Sequence, residues 1–474
     1  MTPYHLTLQV VGKALKDHLA MLKDDILVFI EYPYVDKVYR DSYYKYFSTK
    51  HHQYERDCAR LTFFENDVTD NHFRQHNLRD ELKNKILGFI VIRPTIPQLI
   101  GRSIISPKAL KRNNFEICLC EVNVSVNGVK LKLNGFPHSS QDNETMSCAE
   151  TSIWELMEYF GNKYPEYKPV LPSKIHQILS NISYERQIPS HGLTLNQISF
   201  ALKKLDFGTK IYANIPKVEL QRILGYYIES GIPVIASLES GSIGHAVLII
   251  GREKKDVNYL PSNYKPVKIL LKNEKTLNII DSADIIKKYV IMDDNFPPYQ
   301  TVLFDKPGEY YSLPPQNEYK ITGITIPLYS KVYTDATEAK KLTIEILKKF
   351  ELKFPSDVVI LRLYLISSRS LKNEIALKDD FNSDNKELLV HNPMPKFVWV
   401  IEFSTKEQFI KDESFGLIVL NSTDNSIFTA INIIIFPETT IVAQNGELLI
   451  YNNNPTNFKS LKNNLKGEWS SWQN

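Results

Sequence analysis

The sequence predicts an α+β protein of two or three domains, and three observations carry that reading. The chain has 474 residues, more than one ordinary hydrophobic core organises. Its longest apolar runs, such as ILVFIEY and INIIIF, have the length of strands and are bounded by polar residues. A central stretch places helical patterns first and apolar strands afterwards, which is the α+β order.

The elements follow along the chain. Residues 1–135 form a mixed α and β region that opens with an amphipathic segment, followed by ILVFIEY at 26–32, read as a buried strand. LGFIVIRP at 87–94 is a further strand, and FEICLCEVNVSV at 115–126 reads as one long β run. Asn127-Gly128 then joins that run to VKLKLNG, the signature of a tight hairpin with a type I′ turn. Residues 136–330 change character. The loop PHSSQDNETMS leads into a helix from Ser147 or Cys148, with Ile153, Leu156, Met157 and Phe160 at helical spacing. Helices are predicted within 192–208 and 218–231, and strands at 233–239, 245–251 and 288–294. Residues 252–287, rich in Lys and Asn, read as an excursion inserted between two of those strands. Residues 331–474 form a C-terminal α+β region, opening with the helix TEAKKLTIEILKKF and continuing through DVVILRLYLI, KFVWVIEF, FGLIVLN and AINIIIF.

Composition narrows the function classes. Hydrophobic residues at 43% and charged residues at 23% are globular proportions and argue against a disordered or fibrous chain. Lys and Arg number 57 against 54 Asp and Glu, spread along the chain, so no basic stripe points to nucleic acid or an anionic membrane. The 26 Tyr and 23 Phe are therefore assigned to core packing rather than base stacking. Four cysteines do not make a disulfide framework, and Cys118 and Cys120 share a face of a strand, poor geometry for bridging each other. The N-terminus lacks a secretory pattern and no apolar stretch reaches spanning length. A reducing cytoplasm, which keeps thiols available, is the expected location.

One set of residues carries chemistry. Ser147 is placed as helix N-cap with Glu150 as capping-box partner, which sets Cys148 in the first turn. Free backbone N–H groups and the positive end of the helix dipole favour a thiolate there. Those N–H groups, with the Gln141 side chain from the preceding loop, could receive a developing oxyanion. A lone cysteine on a helix is more often packing than chemistry; what raises Cys148 above that is the rest of the set. His245, flanked by Gly244, opens the apolar strand HAVLIIG, and Asp293 ends the strand YVIM, where it could fix the imidazole tautomer. The gaps are 97 residues from Cys to His (245 − 148) and 48 from His to Asp (293 − 245).

The order Gln141, Cys148, His245, Asp293 resembles the papain-like cysteine peptidase superfamily. Within it, the IPV strand leading into GHAV and the helix in GLTLNQISFALKKLDFG are most similar to the bacterial C39-like peptidases, whose relatives process leader peptides at double-glycine sites. The likeness covers about residues 136–300 and implies a helical half bearing the Cys against an antiparallel sheet bearing His and Asp. It also implies a thiol-dependent peptidase, or a related amide hydrolase or acyl transferase, acting on a peptide or isopeptide bond. Neither a cofactor nor a metal is implied; the expected partner is a peptide or protein, not nucleic acid or membrane. The chain departs from the pattern in three places. Gln141 lies seven residues before Cys148, one more than usual, and Ala149-Glu150 follows where a small pair is more common. The excursion 252–287 lengthens the His-to-Asp connection, leaving Asp281 and Asp294 as alternative acids. A catalytically silent scaffold serving as a binding or sensor protein is the other reading, with the flanking regions as recognition surfaces.

Overall fold

The chain folds as a mixed α+β protein of several mainly antiparallel sheets. Its computed structural model describes residues 3–95, 99–184, 186–190, 192–259, 266–272, 274–444, 446–452, 457–462 and 464–466. Among these, the strands assemble into six-, seven- and eight-stranded sheets and one two-stranded pair.

The six-stranded sheet is built from residues 26–138. Its last hairpin joins Cys120–Val126 to Val129–His138, and Asn127 and Gly128 both have positive φ, as a type I′ turn needs. Two expectations fail in this region. Ile26–Tyr34 is not a buried strand: it lies at the sheet edge, with Val28, Ile30 and Tyr32 exposed on alternate positions. The run 115–126 is not one strand either. Phe115–Ile117 leaves this sheet and pairs with Ile243–Glu253 of the next, while Cys120–Val126 stays. Gly251 makes that docking possible, because a Cβ there would collide with the Glu116 carbonyl oxygen.

The seven-stranded sheet carries the middle region in the order Gln300–Leu303, Lys288–Met292, Ile243–Glu253, Val234–Ser240, Lys320–Ile326, Lys210–Ala213, with Phe115–Ile117 beside Ile243–Glu253. All its pairings are antiparallel. Helix Cys148–Lys163 packs against the strand Ile243–Glu253. The expected apolar stripe of Ile153, Leu156, Met157 and Phe160 is in the core, and so is every other residue from Ala149 to Phe160. Three of these are glutamates, each with polar company. Glu150 takes the hydroxyls of Ser147 and Ser190, Glu155 takes the Ser139 N–H, and Glu158 pairs with Arg102 at 3.3 Å.

The excursion at 252–287 is a structural join. Its strands Val267–Leu270 and Thr276–Asp281 pair with each other, and the second runs parallel to Val358–Ser367. The eight-stranded C-terminal sheet therefore begins with two strands from the middle of the chain. One continuous hydrophobic core reaches from Leu22 to Leu465, and a smaller one lies under the other face of the C-terminal sheet. No helix among the described residues is long and apolar enough to cross a membrane.

Candidate active site

Cys148 is the first residue of its helix, and it is half-buried. Ser147 is the N-cap, but its hydroxyl bonds the Glu150 carboxylate rather than a backbone N–H. Glu150 also accepts from Ser190 at 2.6 Å, so one carboxylate ties the helix start to the loop that walls the cleft. The other three cysteines are different. Cys58, Cys118 and Cys120 are fully buried, and burial pushes the Cys118 and Cys120 thiols up to about 12.

Strand Ile243–Glu253 brings His245 to Cys148. The Ala246 N–H points at the Cys148 sulfur, 3.4 Å away, and the Cys148 and His245 side chains line the same cleft. The ring's Nε2 lies 3.0 Å from Asp293 Oδ1, which leaves Nδ1 as the nitrogen for the thiol proton. Tyr319 lies flat over the imidazole with centroids 6.0 Å apart. Strands Ile243–Glu253 and Lys288–Met292 are directly paired, and that pairing sets His245 and Asp293 side by side.

Asp293 is fully buried and well supplied with donors. Besides His245 it accepts from the Asn295 N–H at 2.9 Å, from Tyr311 Oη at 2.9 Å, and from Tyr310 Oη. Burial alone would raise its pKa; the His245 charge and these hydrogen bonds outweigh it and hold the carboxyl below the usual range. Burial likewise works against a charged His245, and the Asp293 charge with its hydrogen bond outweighs it, lifting the imidazole well above its ordinary value. Both shifts come from the attraction between a protonated His245 and the Asp293 carboxylate.

The alternative acids behave otherwise. Asp294 Oδ1 lies 3.8 Å from His245 Nε2, yet neither of its oxygens has a hydrogen-bond partner among the described residues. Its burial, added to the charges of Asp293 and Glu155, outweighs His245 and pushes the carboxyl well above the usual range. Asp281 lies on the strand that starts the C-terminal sheet, bonded to Lys340 at 2.7 Å and to Tyr226. It is not at His245.

Gln141 lines the same cleft of about 590 Å³ as Cys148, His245, Asn295 and Tyr319. Its Nε2 donates to Asn295 Oδ1 at 2.8 Å. The loop between Gln141 and Cys148 is folded around Asp142, whose Oδ1 accepts from the N–H groups of Glu144, Thr145 and Met146 at 2.7–3.0 Å. Arg93, from the N-terminal region, clamps that loop through Asp142 at 3.3 Å and the Ser140 carbonyl at 2.7 Å. Lys50 holds Glu144 at 2.6 Å.

Sequence reasoning missed Arg93, Asp142, Asn295, Tyr310, Tyr311 and Tyr319. Only two signals existed: Asn295 directly follows the acidic pair, and Tyr310-Tyr311 is an aromatic doublet downstream. His245, Asp293 and Asp294 are the one His/Cys/Asp/Glu group among the described residues whose donor atoms lie within 4.8 Å of one another. In that group Asp293 already accepts from three donors besides His245. Neither a protein-family model nor a curated protein matches the chain.

Proposed function

We propose that the chain is a papain-like cysteine hydrolase or acyl transferase acting on a peptide or isopeptide bond, with Cys148 as nucleophile. One observation carries this reading. A partly exposed thiol at a helix start and an imidazole bonded to a fully buried carboxylate share one open cleft, the thiol held by the N–H of the residue after the imidazole. Support also comes from their setting, a buried helix packed on an antiparallel sheet that carries His245 and Asp293 at neighbouring strands.

The steps follow from the contacts. His245 Nδ1 takes the thiol proton, Asp293 holds Nε2–H and so fixes the tautomer, and the Ala246 N–H points at the sulfur. The sulfur attacks the carbonyl carbon, and the oxyanion is received by the Gln141 carboxamide with the first-turn N–H groups. The imidazolium returns its proton to the departing amine, leaving a thioester on Cys148. Water or a second amine then attacks the thioester and releases the acyl group. The cleft and its polar lining suit a peptide; a cytoplasmic location and no dependence on nucleic acid or membrane belong to the same proposal.

The test pairs wild type with Cys148→Ala. Wild type is expected to form a covalent adduct at Cys148 with iodoacetamide and to be acylated there by p-nitrophenyl acetate, both read by intact mass and peptide mapping. The variant is expected to keep its fold, read by circular dichroism, and to lose both. Equal turnover of the ester by the two proteins overturns the assignment and leaves the silent scaffold.

A further inference from the structure

Resting on the reading of Cys148 as an acyl acceptor, we propose that Asn295 is a positioning residue that orients the Gln141 carboxamide as oxyanion donor, its own orientation being dictated by Asp293 through Tyr311. The argument uses hydrogen-bond direction. A carboxamide can present either its oxygen or its NH₂, and only its partners decide which. For Gln141 the choice matters, because an oxygen turned toward the cleft would repel an oxyanion that an N–H would bind.

The choice can be traced from one end. Asp293 is ionised and can only accept, so Tyr311, 2.9 Å from its Oδ2, must donate its proton there. The Tyr311 oxygen then has only lone pairs to offer, and the group that faces it, 3.3 Å away, must be the Asn295 NH₂. Asn295 is thereby turned so that its Oδ1 points the other way, toward Gln141. Oδ1 is an acceptor, so Gln141 must bring its NH₂ to it, at 2.8 Å. An NH₂ carries two protons. One is spent on Asn295, and the other remains for the cleft that Gln141 and Cys148 both line.

Each link has a fixed sense, and the sense originates in the one charged group. The backbone N–H of Asn295 also donates to Asp293, at 2.9 Å, so the residue is anchored to the acid by its main chain as well as its side chain. The same carboxylate that orients the base thus also sets the polarity of the oxyanion donor. Asn295 touches neither Cys148 nor His245 in any recorded hydrogen bond and acts through Gln141.

The experiment separates oxyanion stabilisation from thiol reactivity by using two probes. Alkylation by iodoacetamide passes through no oxyanion, whereas acylation by p-nitrophenyl acetate does. Rates with both are measured for wild type, Asn295→Ala, Gln141→Ala and the double variant. Asn295 is solvent-exposed and its main-chain bond survives the substitution, so the fold is expected to hold, checked by thermal unfolding. Gln141→Ala is expected to slow acylation by about a hundredfold and Asn295→Ala by about tenfold. The double variant is expected to match Gln141→Ala alone, with alkylation within about twofold of wild type throughout. The proposal is overturned if Asn295→Ala acylates like wild type, slows both probes alike, or adds its full effect to Gln141→Ala. Absence of any acylation of wild type at Cys148 overturns the parent reading and this one together.

Discussion

Two buried carboxylates in the middle region, Asp293 and Glu229, are neutralised in opposite ways. Glu229 ends the helix Lys217–Glu229, and its ion pairs include Arg252 at 3.0 Å, Arg362 at 2.9 Å and Lys255 at 3.2 Å. Burial opposes its charge, but those three hold it well below the usual carboxylate range. Arg362 goes on to Glu402 at 2.6 Å and the Leu461 carbonyl at 2.7 Å, so the network stitches the middle region to strands made far later in the chain. Asp293 has an imidazole, two phenols and a backbone N–H instead. A guanidinium keeps its proton at every pH a protein meets, whereas an imidazole exchanges it. The two guanidiniums on Glu229 can only hold, although burial lowers the third cation, Lys255, to about 8; the imidazole on Asp293 can hold and still pass a proton. Burial of charge is common to both, so burial does not mark the reactive site. The identity of the counter-charge does.

The contrast can be broken from the holding side first. Arg362→Met leaves Glu229 and Glu402 short of a partner in the interior and is expected to cost about 3–5 kcal/mol in urea unfolding. Alkylation of Cys148 in the folded variant should stay near the wild-type rate. A loss well under that range would mean that Arg252 and Lys255 suffice for Glu229.

A second measurement sharpens the comparison through pH. The folded pKa of His245 is raised, so the stability it contributes is full below the unfolded value of about 6.5 and is lost as pH climbs through the folded value. The folded pKa of Asp293 is lowered, so its contribution is full above the unfolded value of about 3.9 and is lost as pH falls through the folded one. The pair therefore stabilises most between roughly pH 4 and 6.5. Asp293→Asn is expected to flatten the alkaline decline of unfolding free energy measured by urea titration across pH. An alkaline limb identical to wild type would show that the decline has another source.

The smallest effect belongs to one phenol. Tyr311→Phe removes one of four donors from Asp293 and is expected to cost about 1 kcal/mol or less of stability. It should also slow acylation more than alkylation, since Asn295 loses the partner that fixes its orientation.

How much of this was legible beforehand depends on the range of the interaction. The helix start at Cys148 and the Asn127-Gly128 turn are local patterns that form where the sequence puts them, and the strand expected to open at His245 forms as Ile243–Glu253, two residues longer at each end. The strand pairing that sets Asp293, not Asp294 or Asp281, on His245 is a matter of register, which periodicity does not encode. The split of 115–126 between two sheets escaped for the same reason: alternation reports which face is apolar, not which neighbour pairs. Tyr310 and Tyr311 come from an irregular segment that has no period to read. The exposed face of Ile26–Tyr34 was misjudged because a run of apolar residues looks alike at the centre and the edge of a sheet.

The join between the excursion and the C-terminal sheet has a consequence for how the chain is made. On a ribosome, Thr276–Asp281 emerges some 77 residues ahead of the strand that will cover its outer edge (358 − 281). Until Val358–Ser367 appears, the outer edge of that hairpin strand waits with an open ladder of N–H and C=O groups. Translation therefore passes through an interval in which the newborn protein shows an unpaired strand edge to its surroundings, the kind of surface on which aggregation starts.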